Sequence, residues 1–422
     1  MRPRATQPLL APLWARACRR PLSTAPRPPN RPLLVLGLES SADDTCAAVV
    51  SSDRRLLSNV VLKQSAIHES FGGIHPLHAQ EAHQRNMPLA ISRALSEAGV
   101  TLEELDGIAA TRGPGMYGCL SVCLGAGKAL AAATGKPLIG VHHMQAHALT
   151  PFLTASPLAP SSQAPKFPFL TLLLSGGHTL LLLASSRSEF RILATTADES
   201  IGAALDKAAR DLGVDWALGA GSPGAALEKF AHPDAPGAGE EVPLLLPAAP
   251  VFPLPFPREL SFSYAGLRSA LTRLLRSEPP AAMHPARKSQ VARAFMDAAF
   301  EQVAARVELG MRRLEEEEGA GAGGEEGATV RGLVVSGGVA SNLVLRERLR
   351  SRLDKLGKPD LPLIFPPPHL CTDNAAMIAW VGLDRLERGL VDPLTVMQRA
   401  KWPINECEAD FVTTDASSRL AA

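Results

Sequence analysis

Residues 167–184 read FPFLTLLLSGGHTLLLLA, two apolar runs joined by a Ser-Gly-Gly turn, and this stretch decides how the fold is interpreted. Residues 167–174 and 179–184 have the length and composition of two strands. Between them, Gly176 and Gly177 allow the backbone to approach a ligand closely and to expose amide donors. Because glycine pairs are also ordinary turn residues, one such hairpin indicates a ligand site only if the pattern recurs.

The pattern recurs at two other places. Leu36-Gly37-Leu38-Glu39-Ser40-Ser41 leads into a turn between two predicted strands, and Val335-Ser336-Gly337-Gly338-Val339-Ala340-Ser341-Asn342 joins a strand to a helix. A helix that begins at such a turn favours a bound anion. The three turns together indicate a nucleotide cleft between two related halves, as in the superfamily of actin, sugar kinases and Hsp70. The chain lacks the Walker A lysine motif that would support a P-loop fold.

Predicted strands alternate with predicted helices along the rest of the chain. Besides the hairpin, strands are expected at residues 33–38, 46–50, 107–111, 137–141, 332–335 and 361–365. Helices are expected at residues 76–98, 119–133, 199–212, 289–316, 343–356 and 373–388. This alternation, taken with the recurring turns, predicts an α/β protein with a two-lobed, actin-like fold built from duplicated RNase H-like halves.

A pair of histidines follows the predicted strand at residues 137–141. If a helix begins there, His143 and His147 lie one turn apart on one face and can hold one metal ion, zinc or iron. The alternative is a partly buried helix start whose histidines only form hydrogen bonds. A metalloprotease of the H-E-x-x-H type is disfavoured, because Met144 stands where that motif has its general base.

A third ligand is expected at Asp373, where a proline-rich loop enters a helix. Two histidines and a carboxylate with an open position would form a catalytic rather than a structural metal site. The alternative is that Thr372 or Asp373 is simply the N-cap of the helix.

The N-terminal 31 residues differ from the rest of the chain. They contain seven arginines and no Asp or Glu, which is typical of a mitochondrial transit peptide. Their removal takes the formal charge from +1 to −6, so a nucleic-acid partner would need a local basic patch. The alternative is a disordered basic tail. Six cysteines without a C-x-x-C pair fit a reducing compartment.

The length of 422 residues predicts more than one core. We expect a leader at residues 1–31, an N-terminal lobe at 32–150 and a C-terminal lobe at 151–422, with the last helices packing back on the first lobe. Residues 155–168, 233–257 and 315–327 are expected to be loops or insertions. No membrane association is expected, since the longest apolar run is broken by the Ser-Gly-Gly turn.

The ordered motifs together resemble the tRNA threonylcarbamoyladenosine transferase family, specifically its mitochondrial branch, formerly described as O-sialoglycoprotein endopeptidases. The resemblance runs from about Leu34 to about Met397. The motifs that carry it occupy residues 37–45, 68–83, 112–115, 142–147, 174–178, 205–207, 261–267, 336–342 and 371–376.

The resemblance implies a reaction in the mitochondrial matrix. A companion synthase makes threonylcarbamoyl-adenylate from threonine, bicarbonate and ATP. The chain then transfers the threonylcarbamoyl group to the exocyclic amine of the adenosine just 3′ of the anticodon, in mitochondrial tRNAs that read codons beginning with A. A homodimer is one possible assembly.

The resemblance also implies the site residues. One divalent ion per subunit, iron or zinc, would be held by His143, His147 and Asp373. Asp43 and Asp44 would lie at the reacting centre as catalytic residues. The substrate-binding residues would be Leu173, Leu174, Ser175, Gly176, Gly177, Asp206, Gly224, Ser336, Gly337, Gly338 and Asn342.

The chain departs from the family pattern at two acidic positions. Ala42 and Asp44 replace the usual Cys and Glu, and Ala203 replaces another Glu. Two other functions remain open. A small-molecule kinase of the same superfamily would share the glycine turns without needing the histidines, and a non-catalytic nucleotide-binding scaffold would tolerate loss of either ligand type.

Overall fold

The computed structural model describes residues 31–71, 73–155, 164–219, 222–232, 246–320, 329–408 and 412–413. The strands are β1 (Leu34–Glu39), β2 (Thr45–Ser51), β3 (Leu56–Leu62), β4 (Gly107–Gly113), β5 (Leu138–His142), β6 (Phe169–Leu174), β7 (Thr179–Ala184), β8 (Phe190–Thr196), β9 (Ser261–Phe262), β10 (Leu333–Ser336), β11 (Leu363–Ile364), β12 (Leu390–Val391) and β13 (Val412–Thr413). The helices are α1 (Ser65–Ser70), α2 (Pro76–Ala98), α3 (Tyr117–Thr134), α4 (His143–Thr154), α5 (Ile201–Asp211), α6 (Pro223–Ala231), α7 (Ala265–Ser277), α8 (Pro285–Ala320), α9 (Leu343–Lys355), α10 (Pro368–Cys371) and α11 (Ala375–Glu387).

The first sheet has the strand order β3-β2-β1-β4-β5. β1 pairs antiparallel with β2 and parallel with β4, and β5 extends the parallel part. Because alternate side chains of a strand point to opposite faces, β1 contributes to two cores. Leu36 and Leu38 pack with residues of α2 and α3, whereas Val35 packs with residues of α4 and α11.

The second sheet repeats this arrangement in the order β11-β10-β6-β7-β8, with β9 added at its edge. β6 pairs antiparallel with β7 through the predicted Ser-Gly-Gly hairpin and parallel with β10. β6, β7, β8, β10 and β11 therefore follow the same order and directions as β1 to β5. This repetition confirms the prediction of an actin-like fold with two RNase H-like halves.

The space between the two sheets is filled by α4 and α11. Every residue of α4 from His143 to Leu153 and of α11 from Ala375 to Arg385 is buried. Their apolar side chains form one core with residues of β1, β2, β5 and β6, while α5 to α9 contribute to a separate core on the second sheet. A helix that is buried all round belongs inside a molecule, and these two join its halves.

α11 comes unusually close to the first sheet because glycines stand at the contact. A Cβ on Gly37 would lie 2.7 Å from the backbone nitrogen of Ala379, and one on Gly382 would lie 2.5 Å from the Cβ of Ala109. Larger residues at either position would push the helix away. Helix α11 lies beyond residue 371 in sequence but packs on β1, β2, β4 and β5.

Several element predictions need correction. β3 and β8 were not predicted, because their polar and charged residues interrupt the apolar pattern. The predicted acidic loop at 315–327 begins inside α8, which extends to Ala320. Over its 18 residues, α3 is long and apolar enough to cross a bilayer by composition, although its buried side packs on β4. Residues 1–30, which hold nearly all of the predicted leader, lie outside the described part of the chain.

Candidate active site

The first turn of α4 carries two of the predicted ligands. His142 is the N-cap, and its Nδ1 accepts a hydrogen bond from the Gln145 amide at 3.3 Å. His142 Nε2 donates to the carbonyl of Trp402 at 2.9 Å. With His142 used as the cap, His143 and His147 face the same way, and their ring centroids lie 4.8 Å apart. The predicted one-turn spacing is therefore present.

Asp373 lies immediately before α11 and meets both histidines. Its Oδ1 is 3.0 Å from His147 Nε2 and 3.4 Å from His143 Nε2. The N-cap of α11 is Asn374, whose Oδ1 accepts from the Met377 amide at 3.0 Å. The alternative that Thr372 or Asp373 only caps the helix is therefore wrong. The carboxylate of Asp373 is directed to the histidines instead.

A second carboxylate, for which no role was predicted from the sequence, holds His143 from the other side. Glu39 is fully buried at the end of β1, and His143 Nδ1 donates to its Oε2 at 3.0 Å. Glu39 also accepts hydrogen bonds from the Ser41 amide and the Thr111 hydroxyl. A charged residue at the end of an otherwise apolar strand was the available signal for such a role.

The charges of this cluster favour a cationic group between the two carboxylates. Burial alone would lower the pKa of His143, but the charges of Glu39 and Asp373 raise it to about 10. Burial would raise the pKa of Asp373, yet the two histidines hold it well below its usual range. Burial, and then the charge of His143, lowers the pKa of nearby His178 to about 4. The two carboxylates therefore favour positive charge at His143, while the neighbouring His178 stays neutral.

This donor set fits a divalent transition metal. The ligand atoms of His143, His147 and Asp373 all lie within 4.8 Å of one another. Imidazole nitrogen and carboxylate oxygen suit zinc and iron, and the hydrogen bond from His143 Nδ1 to Glu39 leaves its Nε2 to face an ion. The side chain of Asp373 keeps 20% of its surface exposed, so one side of the site is open.

The turn after β1 carries two more carboxyl groups, Asp43 and Asp44, whose pKa values are raised. Burial, and then the charge of Asp373, raises the pKa of Asp43 to about 6. Burial, and then the charge of Asp43, raises the pKa of Asp44 to about 8. Both are partly buried. Two neighbouring acids with separated pKa values are the pattern expected of groups that exchange protons near neutral pH.

The glycine turns lie at the carboxyl ends of β6 and β10. The hydroxyl of Ser175 accepts from the amides of Gly177 and His178, while a Cβ on Gly176 or Gly177 would meet nothing within 4 Å. In the parallel pair, Leu173 lies beside Ser336, and both are fully buried.

The glycine turn at residues 336–338 closely approaches the Ser-Gly-Gly turn at residues 175–177. Gly337 has φ +95°, and a Cβ there would lie 2.7 Å from the carbonyl carbon of Leu174. At Gly338 the nearest atom to an added Cβ is Thr372 Cγ2 at 3.8 Å. The backbones of the two turns therefore meet, and an added side chain at Gly338 would come into ordinary van der Waals contact with Thr372.

Two further predicted binding residues have structural partners. Asp206 Oδ1 accepts from the Gly224 amide at 2.9 Å, which brings this predicted pair together. Burial raises the pKa of Asp206 to about 6, although that hydrogen bond acts in the opposite direction. Asn342 is buried and caps α9, since its Oδ1 accepts from the Leu345 amide at 3.1 Å. Its side-chain oxygen is thus engaged within the protein.

Two solved structures align with most of this chain at low sequence identity. HypF from T. kodakarensis has a TM-score of 0.49 and 14% identity over 85% of this chain and 49% of that one. A ROK family glucokinase from Streptomyces griseus has a TM-score of 0.42 and 11% identity over 82% of this chain and 98% of that one.

Sequence relatives are much closer. The family described as tRNA N6-adenosine threonylcarbamoyltransferase (TsaD) matches residues 55–380. A curated protein of that name from Zymomonas mobilis is 38% identical over 91% of this chain and 95% of its own length. Another, from Novosphingobium aromaticivorans, is 41% identical over 88% and 96%. With its fold, its glycine turns and its histidine–aspartate cluster, the chain belongs to the tRNA N6-adenosine threonylcarbamoyltransferase family.

Proposed function

We propose that the protein transfers a threonylcarbamoyl group from threonylcarbamoyl-adenylate to the exocyclic amine of the adenosine 3′ of the anticodon. Its substrates would be mitochondrial tRNAs that read codons beginning with A. The observation that carries the proposal is the cluster of His143, His147 and Asp373 between the two halves, in a chain of this family. A companion synthase would supply the adenylate.

The transfer is a substitution at a carbonyl carbon. The amine nitrogen forms a bond to the carbonyl carbon, the bond from that carbon to the phosphate oxygen breaks, and AMP leaves. The amine loses one proton in the process. Asp43, with a pKa of about 6, is ionised at neutral pH and can accept that proton. Asp44, with a pKa of about 8, is largely protonated and can donate a hydrogen bond to an anionic oxygen.

The glycine turns are proposed to bind the adenylate. Gly176 and Gly177 leave room for a phosphate to approach the backbone, and Gly338 would offer a second approach at the carboxyl end of the neighbouring parallel strand β10. Asp206, whose carboxylate accepts a hydrogen bond from the Gly224 amide, would accept hydrogen bonds from a ribose. These contacts would align the carbonyl carbon for attack, which can lower a barrier by several kcal/mol.

One divalent iron or zinc ion would be held by His143, His147 and Asp373. When bound, it supplies Lewis-acid polarisation of the substrate and stabilises developing negative charge. Glu39 would then orient His143 through the Nδ1 hydrogen bond and keep the second ring nitrogen directed to the ion.

The proposal is tested by giving the purified protein threonylcarbamoyl-adenylate and a mitochondrial tRNA transcript, and by analysing the product nucleosides by mass spectrometry. The wild type should release AMP and leave threonylcarbamoyladenosine. His143→Ala and Gly338→Arg should each reduce the transfer rate about 100-fold or more, the scale seen when a preorganised contact is lost. Gly319→Arg is the matched control, since an added Cβ at Gly319 in α8 meets nothing within 4 Å.

Each rival function predicts a different result of this assay. A small-molecule kinase would consume ATP and yield a phosphorylated product without need of His143. A nucleotide-binding scaffold would tolerate loss of either ligand type, so the His143→Ala variant would give the same result as the wild type. Near wild-type transfer by both site variants would contradict the proposal.

A further inference from the structure

A buried hydrogen-bonded histidine holds the turn that carries Asp43 and Asp44. His83, in α2, is fully buried. Its Nε2 lies 3.0 Å from the carbonyl oxygen of Ala42, just before the two acids, and its Nδ1 lies 2.8 Å from the hydroxyl of Thr45, just after them. One imidazole ring therefore contacts both ends of the turn.

The partners define the state of this ring. A carbonyl oxygen can only accept, so His83 Nε2 carries the proton and donates to Ala42. Nδ1 must then accept, from the Thr45 hydroxyl and from Gln64 Nε2 at 3.1 Å. A neutral ring satisfies all of these contacts, and a tilt of the ring would break contacts at both ends of the turn.

The network continues away from the site through Gln64. Gln64 is buried, and its Oε1 accepts from His68 Nε2 at 3.2 Å. His68 is also buried. The donors thus run in one direction, from His68 through Gln64 and His83 to Ala42. Three buried polar side chains are costly to desolvate, and an apolar residue would fill the same space more favourably.

We propose that His83 is a positioning residue of the transferase, which fixes the Ala42–Thr45 turn so that the Asp43 and Asp44 carboxylates keep one orientation toward the substrate. This inference rests on the proposed function. It also gives a role to the histidines at 68 and 83, which belong to a sequence motif that the metal and the glycine turns do not use.

The test compares three variants of His83 and its partner in the transfer assay. His83→Phe keeps the volume and removes both hydrogen bonds, and it should lower kcat about 100-fold with KM for tRNA changed less than about threefold, the scale of a small misplacement of catalytic groups. His83→Gln retains a donor near the Nε2 position and should recover to within about tenfold of wild type. Thr45→Val removes one contact and should give an intermediate loss of about tenfold.

The control separates positioning from stability. Met87, one turn along α2 from His83, is a buried core residue, so Met87→Ala destabilises the same helix and leaves the hydrogen bonds between His83 and the turn in place. It should leave the kcat of the folded protein near wild type. Metal content, measured on every variant by elemental analysis, should equal that of the wild type, because the hydrogen bonds of His83 go to Ala42, Thr45 and Gln64 rather than to a ligand residue.

Three outcomes would overturn the inference. A folded His83→Phe with wild-type kcat would remove the positioning role, and if that variant does not fold, a wild-type kcat for Thr45→Val would do the same. An equal loss in Met87→Ala would assign the effect to general destabilisation. If the wild type itself makes no threonylcarbamoyladenosine, the proposed function fails, and the inference fails with it. An active wild type with unaffected variants contradicts the inference alone.

Discussion

Single side chains decide the chemistry of this site, and most of them were identifiable in the sequence. The spacing of His143 and His147 predicted their shared face, and Asp373 was found through a motif. The sequence could not reveal that Glu39 supports His143, because that contact joins residues 104 positions apart. It also could not separate a cap from a ligand at Asp373, since that depends on which side chain turns back to the helix.

The metal site gives the first prediction. The protein should bind one divalent iron or zinc ion per chain, and His147→Ala or Asp373→Ala should weaken binding at least tenfold, because each removes one of three ligands. Elemental analysis after dialysis measures this. His369→Ala, an exposed histidine in α10, is the control and should keep full metal content. Equal metal in all proteins would contradict the site.

Asp206 gives a prediction about pH. Its pKa is about 6 in the folded protein against an ordinary value of 3.8. Between pH 3.8 and pH 6 the folded state therefore binds more protons than the unfolded state. Stability is therefore lost as pH rises from 3.8 through 6, and the loss persists above 6. Asp206→Asn keeps an acceptor for Gly224 and should be about 1–2 kcal/mol more stable than wild type at pH 7.

Urea unfolding at several pH values measures this difference. The difference in stability between Asp206→Asn and the wild type should shrink as pH falls from 6 toward 4. The transfer activity of Asp206→Asn should be reduced at every pH. A constant difference across this range would show that the Asp206 carboxyl does not carry the effect.

Helices and strands were predictable where the pattern was regular and were missed where tertiary contacts override it. The bounds predicted for the second hairpin strand and for α2 agree with the structure. β8 was missed because exposed polar residues such as Arg191 and Thr195 interrupt its apolar pattern, although it pairs with the preceding strand β7. The close packing of α11 on β1 also left no local signal, since Gly37 appears in the sequence only as a residue in a strand.

The contact between Gly37 in β1 and helix α11 gives a prediction about stability. Gly37→Ala should destabilise the protein by about 2–3 kcal/mol, because its Cβ would overlap the backbone of α11. Gly125→Ala in α3 is the matched control, since nothing lies within 4 Å of its Cβ, and it should be neutral or slightly stabilising. Chemical denaturation measures both variants. A loss in Gly37→Ala no larger than in Gly125→Ala would contradict the packing argument.

The whole molecule was predictable as a fold class but not as an assembly of parts. The recurring turns predicted two related halves, and the two sheets share one strand order. The sequence also predicted that the last helices pack back on the first lobe, but it did not reveal that α4 and α11 together build the core between the halves, with residues buried on all sides. An apolar run alone does not say which two surfaces it joins.

The N-terminal composition gives a prediction for the cell. Residues 1–31, fused to a fluorescent protein, should direct it into mitochondria and then be cleaved, because they are rich in arginine and contain no acidic residue. Microscopy and the size of the recovered product measure this. The same segment with its seven arginines changed to glutamine is the control. A fusion that stays in the cytosol would place the protein in another compartment.

The placement of α11 has a consequence for how the protein is made. A growing chain has supplied every strand of the first sheet by residue 142, yet α11, which covers one face of that sheet, begins only at residue 375. During synthesis, that apolar face stays uncovered by α11 until more than half of the polypeptide has been added after residue 142. Chains that terminate before residue 375 lack the helix that covers it. They should be retained by chaperones and removed by proteases, so that incomplete copies do not compete with the finished enzyme for tRNA.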